Sequence, residues 1–126
     1  MNLGRVNGWL LVVDTHFVSA FRELETKALV ESRRGKIGKH TKLLAAVLKV
    51  AQEIIPSGPE DPKFLLGNTL GPGFKAWRRV KFIQQYRLFF RYSASEKVII
   101  LSWFNDEESL RAYGSKTDAY LVFKAM

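Results

Sequence analysis

The chain has 126 residues, 47% hydrophobic and 25% charged, which is ordinary for a globular domain, so disorder is not the default and residues 1–126 are expected to form one domain. Twenty Lys and Arg against twelve Asp and Glu give a net charge of +8 and a pI near 9.9, which points to polyanionic partners. The absence of cysteine excludes a disulfide framework and a cysteine zinc site; with no apolar run near the roughly 20 residues of a membrane span and no signal-peptide h-region, the expected location is the cytoplasm.

The apolar run Trp9–Val13 predicts a first strand over 8–13, and Asp14 or Thr15 is placed to cap a following helix. On that helix Phe17, Ala20, Phe21, Leu24 and Ala28 recur at helical spacing. The segment "ESRRGKIGKHTK" ends it at Gly35 and Gly38. A second helix is predicted over 41–55, with Leu44, Val47, Leu48, Ala51 and Ile55 on its apolar face, and Pro56, Pro59 and Pro62 stop it. "KFLLGNTLGPGFKAW" contains Gly67, Gly71 and Gly73, but no Gly-Lys-Ser/Thr follows, so it reads as a structural loop rather than a phosphate cradle. Strands are predicted over 77–83, 86–93 and 97–104; the short links at Gln84-Gln85 and "SASE" make them antiparallel neighbours. "NDEESLRAYG" reads as a polar turn or short helix, and "KTDAYLVFKAM" as a closing helix capped by Thr117 or Asp118. The order β-α-α-β-β-β-α predicts an α+β fold: a small, largely antiparallel sheet with two N-terminal helices on one face and a short C-terminal helix.

The most apolar strands are also the most basic. "WRRVKFIQQYRLFFRY" carries Arg78, Arg79, Lys81, Arg87 and Arg91, and no acid occurs between Asp61 and Glu96. Strand alternation puts Val80 and Phe82 on one face and Arg79 and Lys81 on the other; on the next strand Leu88 and Phe90 oppose Arg87, Phe89 and Arg91. Like charges on neighbouring strands destabilise a sheet, so the pattern favours an anion site over a merely solvated face. Arg33, Arg34, Lys36, Lys39 and Lys42 form a second basic cluster, read either as a solvated connector or as a phosphate grip without sequence readout.

"LLGNTLGPGFKAWRRVKFIQQYRLFFRY" is similar to the loop, strand and hairpin of RelE-type toxins. "RVNGWLL", "TKLLAAVLKV", "RVKF", "YRLFFRYS", "EKVIILSWFNDE" and "LRAYGSKTDAY" resemble its YhaV branch, from Arg5 to Phe123. The resemblance implies a RelE-like fold and a toxin of a type II toxin–antitoxin system, an endoribonuclease that cuts mRNA, often in the ribosomal A site. It also implies a PrlF-type, AbrB-like antitoxin as partner and no membrane role. Metal-independent cleavage by the 2′-OH would need neither metal nor cofactor. His16 and His40 lie off the basic face and are not expected to be catalytic. By the motif, Arg79 and Arg87 would clamp the scissile phosphate and Lys81 would stabilise charge or move a proton. Arg111, Tyr113 and Lys116 are further catalytic candidates, and Arg78, Arg91, Tyr120, Arg33, Arg34, Lys36 and Lys39 would bind substrate. The stretch "NDEESLRAYGSKTDAY" is longer than in better-known members, and Tyr113 and Tyr120 read equally as core. Asp106 reads as a turn residue or as a partner for an arginine. A non-catalytic RNA-binding module and a ParE-like gyrase poison are the competing readings.

Overall fold

A computed structural model describes residues 1–66, 72–74, 76–107, 109–110 and 118–126. In chain order these form β1 (Asn2–Val6), β2 (Trp9–Val13), α1 (Thr15–Arg33), α2 (Lys39–Lys49), a π-helical turn (Val50–Ile54), β3 (Arg78–Phe82), β4 (Tyr86–Ser93), β5 (Val98–Phe104) and α3 (Ala119–Ala125). Short 3-10 turns occupy Pro62–Phe64 and Pro72–Phe74. Among the described residues the strands make one sheet in the order β1-β2-β5-β4-β3. The architecture is therefore α+β. The expectation of a largely antiparallel sheet needs a correction at its centre: β2 runs parallel to β5, from Leu10 beside Val98 to Val13 beside Leu101. A parallel pair needs a long crossover, and the two helices and the β3–β4 hairpin supply it.

β1 was not foreseen. Asn7 and Gly8 both adopt positive φ, 50° and 84°, and turn the chain so that Val6 pairs with Trp9. A two-residue hairpin turn of this hand favours Asn-Gly, because both central residues must enter the left-handed region. The second helix is also shorter as an α-helix than its apolar periodicity predicts, its last turn widening to π geometry.

Asp14 caps α1, its Oδ1 accepting from the backbone N–H groups of His16 and Phe17 at 3.0 and 3.2 Å. α2 has only Gly38 at its cap position, with no side chain to serve. Glu31, late in α1, does that work instead: its carboxylate accepts from the N–H groups of Thr41 (2.9 Å) and His40 (3.2 Å) and from the Thr41 hydroxyl (3.0 Å). A Cβ on residue 38 would sit 2.5 Å from the Glu31 carboxyl carbon, so glycine is what admits the borrowed cap.

Phe17 and Leu24 of α1 and Leu43 and Val47 of α2 bury one face of the sheet, meeting Leu11, Val13, Val80, Leu88, Phe90, Ile99, Leu101 and Phe104. Phe90 pairs with Leu101 and Phe89 with Trp103, so Ser102 is an extra residue in β5, a bulge. The bulge shifts the alternation: Phe104 rejoins the helical side, and Trp103 turns to the opposite face. There a second apolar cluster forms from Leu66, Phe89, Trp103, Tyr120 and Phe123. The outer face of the sheet is thus half covered by α3, and not wholly exposed as strand alternation alone suggests.

Candidate active site on the outer face of β3 and β4

Lys81 of β3 and Arg87 of β4 are direct cross-strand partners, and Arg79 is opposite Phe89 one step along. On one face such partners stand about 5 Å apart at Cβ. Lys81 is exposed, whereas Arg87 is 8% exposed. Arg87 Nη1 donates to the carbonyls of Gln84 (2.6 Å) and Tyr86 (2.9 Å), and its Nε has no hydrogen-bond partner. Among the described residues neither Arg79, Lys81, Arg87 nor Arg91 forms an ion pair. A buried cation met only by neutral carbonyls is unusual, since buried charges are ordinarily paired.

Arg79 is braced from two directions. Its Nε donates to the Tyr120 hydroxyl of α3 at 3.0 Å, and its Nη1 to the Lys63 carbonyl at 3.0 Å. Tyr120 is 4% exposed and packs edge-on against Phe89 at 5.5 Å. The ring is therefore core, and the hydroxyl addresses Arg79. Arg91 is exposed, with its guanidinium 4.5 Å over the Trp77 ring. Arg78 lies on the opposite face, its guanidinium 5.8 Å from the Tyr92 ring. The structure thus brings together Arg79, Lys81, Arg87 and Arg91, and separates Arg78 from them. Arg111, Tyr113 and Lys116 lie outside the described residues.

Asn105 escaped the sequence reading. It is 0% exposed; its Oδ1 accepts the Arg87 N–H at 2.7 Å, and its Nδ2 donates to the carbonyls of Gln85 (3.1 Å) and Ser109 (2.8 Å). It ties the hairpin that carries Arg87 to the chain leaving β5. That hairpin turns at Ile83 and Gln84, with φ of 42° and 58°. Positive φ is costly for a β-branched residue, so the turn is held by its surroundings, of which Arg87 and Asn105 are the polar part. No local signal marks Asn105, because its partners are distant in sequence. Asp106 accepts from the Ser109 N–H and hydroxyl, a turn role.

The second basic cluster sits on the helical side. Arg33, Arg34 and Lys36 are exposed at the end of α1 and in its connector. Lys39 is already engaged, its Nζ 2.8 Å from Glu107. Glu107 also meets Lys27 at 3.4 Å and His40 Nε2 at 3.4 Å, while His40 Nδ1 is 2.7 Å from Glu31. Hydrogen bonds from Lys39 and then His40 hold the Glu107 carboxyl down at about 2. For Glu31 burial is the largest influence and opposes ionisation, yet the N–H groups of Thr41 and His40 and their side chains together prevail and lower it to about 2. Lys27, Lys39, His40, Glu107 and His16 line a cleft of about 190 Å³, in which Glu107 meets both lysines.

Residues 12–126 match a family described as a toxin with endonuclease activity, of a toxin–antitoxin system, the YhaV toxins. The chain belongs to the YhaV toxin family. It is 50% identical over 97% of its length to the ribonuclease toxin YhaV of Escherichia coli strain K12, covering 83% of that protein. The same figures hold for toxin YhaV of E. coli O157:H7 and of E. coli O6:H1. No solved structure matches this YhaV family member significantly. Among its described residues no helix is long and apolar enough to cross a membrane.

Proposed function

We propose that this toxin is an endoribonuclease of RelE-like fold whose active site is the outer face of β3 and β4. The observation that carries the reading is Arg87: a buried guanidinium beside Lys81, with an unsatisfied Nε and no carboxylate partner among the described residues. An RNA phosphate supplies the missing anion and the missing acceptor. Arg79 and Arg87 clamp the scissile phosphate, Arg79 held in place by Tyr120. The 2′-oxygen attacks the adjacent phosphorus as its proton is taken up, and the 5′-oxygen leaves protonated, giving a 2′,3′-cyclic phosphate and a 5′-hydroxyl. Lys81 stabilises the charge gathering on the phosphoryl oxygens, where a preorganised cation is most effective. Arg111, Tyr113 and Lys116 are proposed to complete the acid–base set, and no metal or cofactor is required. The substrate is mRNA, engaged during translation in the cytoplasm, with the exposed Arg33, Arg34 and Lys36 gripping flanking phosphates, while Lys39 is taken up by Glu107. A PrlF-type antitoxin holds the toxin inactive.

The test is cleavage of mRNA by the purified protein, with and without ribosomes and with EDTA, beside Arg87→Ala and Arg79→Ala. Cuts ending in a cyclic phosphate, made by the parent in EDTA and lost in both variants, support the reading. Binding without any cleavage by the parent overturns it in favour of a non-catalytic RNA-binding module.

A further inference from the structure

On the outer face, the residues one step before the Arg78–Phe90 pair are Trp77 and Arg91, and they are in contact: the Arg91 guanidinium stacks 4.5 Å above the indole. The indole is fixed from behind, its ring edge-on to Phe123 at 5.1 Å, 83° between planes. Phe123 is itself stacked on Phe89 at 4.1 Å. Arg91 therefore rests on a rigid aromatic column, and its far side is exposed to solvent. It has no carboxylate partner among the described residues. The platform is one row beyond Arg79 and Phe89 and two beyond Lys81 and Arg87, about 7 and 13 Å by strand geometry. A nucleotide held there lies beside the proposed phosphate clamp without occupying it.

We infer that the Trp77–Arg91 pair is a nucleobase-stacking platform, taking an unpaired base of single-stranded RNA on the open face of the Arg91 guanidinium. The inference rests on the proposed ribonuclease reading and adds to it a base subsite. A guanidinium presents a planar, weakly hydrated face suited to a base, and an ammonium presents none. Stacking of this kind is how proteins hold single strands with little regard to sequence. Purines, with the larger ring face, bind more tightly than pyrimidines. The competing account is that Arg91 only lids the Phe123 cluster, a role a lysine over the indole also fills.

The experiment uses a short single-stranded RNA, 2′-O-methylated throughout so that no 2′-OH can attack, with one abasic residue walked along it. Affinity is measured for the whole protein, the parent and Arg91→Lys, which keeps the charge. At one position the parent is expected to bind the abasic RNA roughly tenfold more weakly, as for the loss of one stacked base. In Arg91→Lys that penalty shrinks below about twofold while the salt dependence of binding, set by phosphate contacts, is kept. Trp77→Phe, which keeps an aromatic against Phe123, gives an intermediate penalty. An equal penalty in parent and Arg91→Lys, or none at any position in the parent, overturns the platform. Unmodified RNA is cleaved by the parent in parallel. If it cleaves and binds without an Arg91-linked penalty, only the platform falls; if it neither binds nor cleaves, the ribonuclease reading falls and the platform with it.

Discussion

Two groups of charge in this toxin follow opposite rules. Around Glu107 charges are matched: Lys27 and Lys39 share its carboxylate, and the His40 ring bridges it to Glu31. Among the described residues, Arg79, Lys81 and Arg87 on the outer sheet face have neutral acceptors or none. Self-neutralised charge fastens helices to the end of β5 and stabilises the fold. Unneutralised charge held rigid on strands costs stability, and is kept where an anion arrives later. The difference separates the proposed substrate site from a charged group that fastens the fold.

The sharpest way to break this comparison is Arg87→Met. Cleavage is expected to fall about 10²–10³-fold, as when one group that stabilises transition-state charge is lost. The melting temperature is expected to fall by only a few degrees: the Gln84 and Tyr86 carbonyls lose their donor, and removal of a buried cation that meets no carboxylate among the described residues offsets much of that cost. A large drop in melting temperature would mean that Arg87 is structural. Asn105→Ala comes next: the buried Arg87 N–H and Ser109 carbonyl and the more open Gln85 carbonyl lose their partner, for about 2 kcal/mol in denaturant unfolding. Tyr120→Phe removes the hydroxyl that receives Arg79 Nε. Multiple-turnover kinetics should show cleavage reduced roughly two- to tenfold, the size of one hydrogen bond of about 0.5–1.5 kcal/mol. Unaltered cleavage would detach α3 from the site.

Effects in the neutralised region should be smaller and confined to stability. Gly38→Ala displaces the Glu31 carboxylate from the start of α2, and calorimetry should find melting lowered by about 4 °C, as for about 1 kcal/mol of capping. Glu31 and Glu107 both lie near 2 in the folded protein against an ordinary 4.5. Their folded-state values are depressed, so their contribution is complete above about pH 4.5 and is lost as pH falls toward 2. The double variant Glu31→Gln, Glu107→Gln should show less of that acid loss, with cleavage at neutral pH little changed. Equal acid sensitivity in parent and variant would locate the titrating groups elsewhere.

The parts of the fold that sequence revealed are those set by neighbours in the chain. α1 with its Asp14 cap, the three strands of the β3–β5 meander and the Asp118 cap of α3 all rest on short-range periodicity and cap chemistry. The Asn7-Gly8 turn was missed although Asn-Gly is a strong hairpin signal, because the brief polar segment before it does not read as a strand. What stayed hidden depends on distant partners. Nothing near Leu10 announces a parallel neighbour at Val98, and nothing near Glu31 announces a helix that needs its cap. In the site, alternation grouped Arg79, Lys81, Arg87 and Arg91 correctly. It did not reveal that α3 covers part of that face, because a single bulge at Ser102 decides where Trp103 points.

The parallel pairing of β2 with β5 also orders events during synthesis. β2 is made before β3, β4 and β5, but it can pair with β5 only after residues 98–101 exist. The brace on Arg79 comes later still, from Tyr120 in the last helix. The chain leaves the translation machinery from its N-terminus, and domains close as units once their distant segments meet. A nascent chain that stops short of Tyr120 therefore has its basic hairpin but not the brace on Arg79, and the outer face is assembled only once α3 has been made.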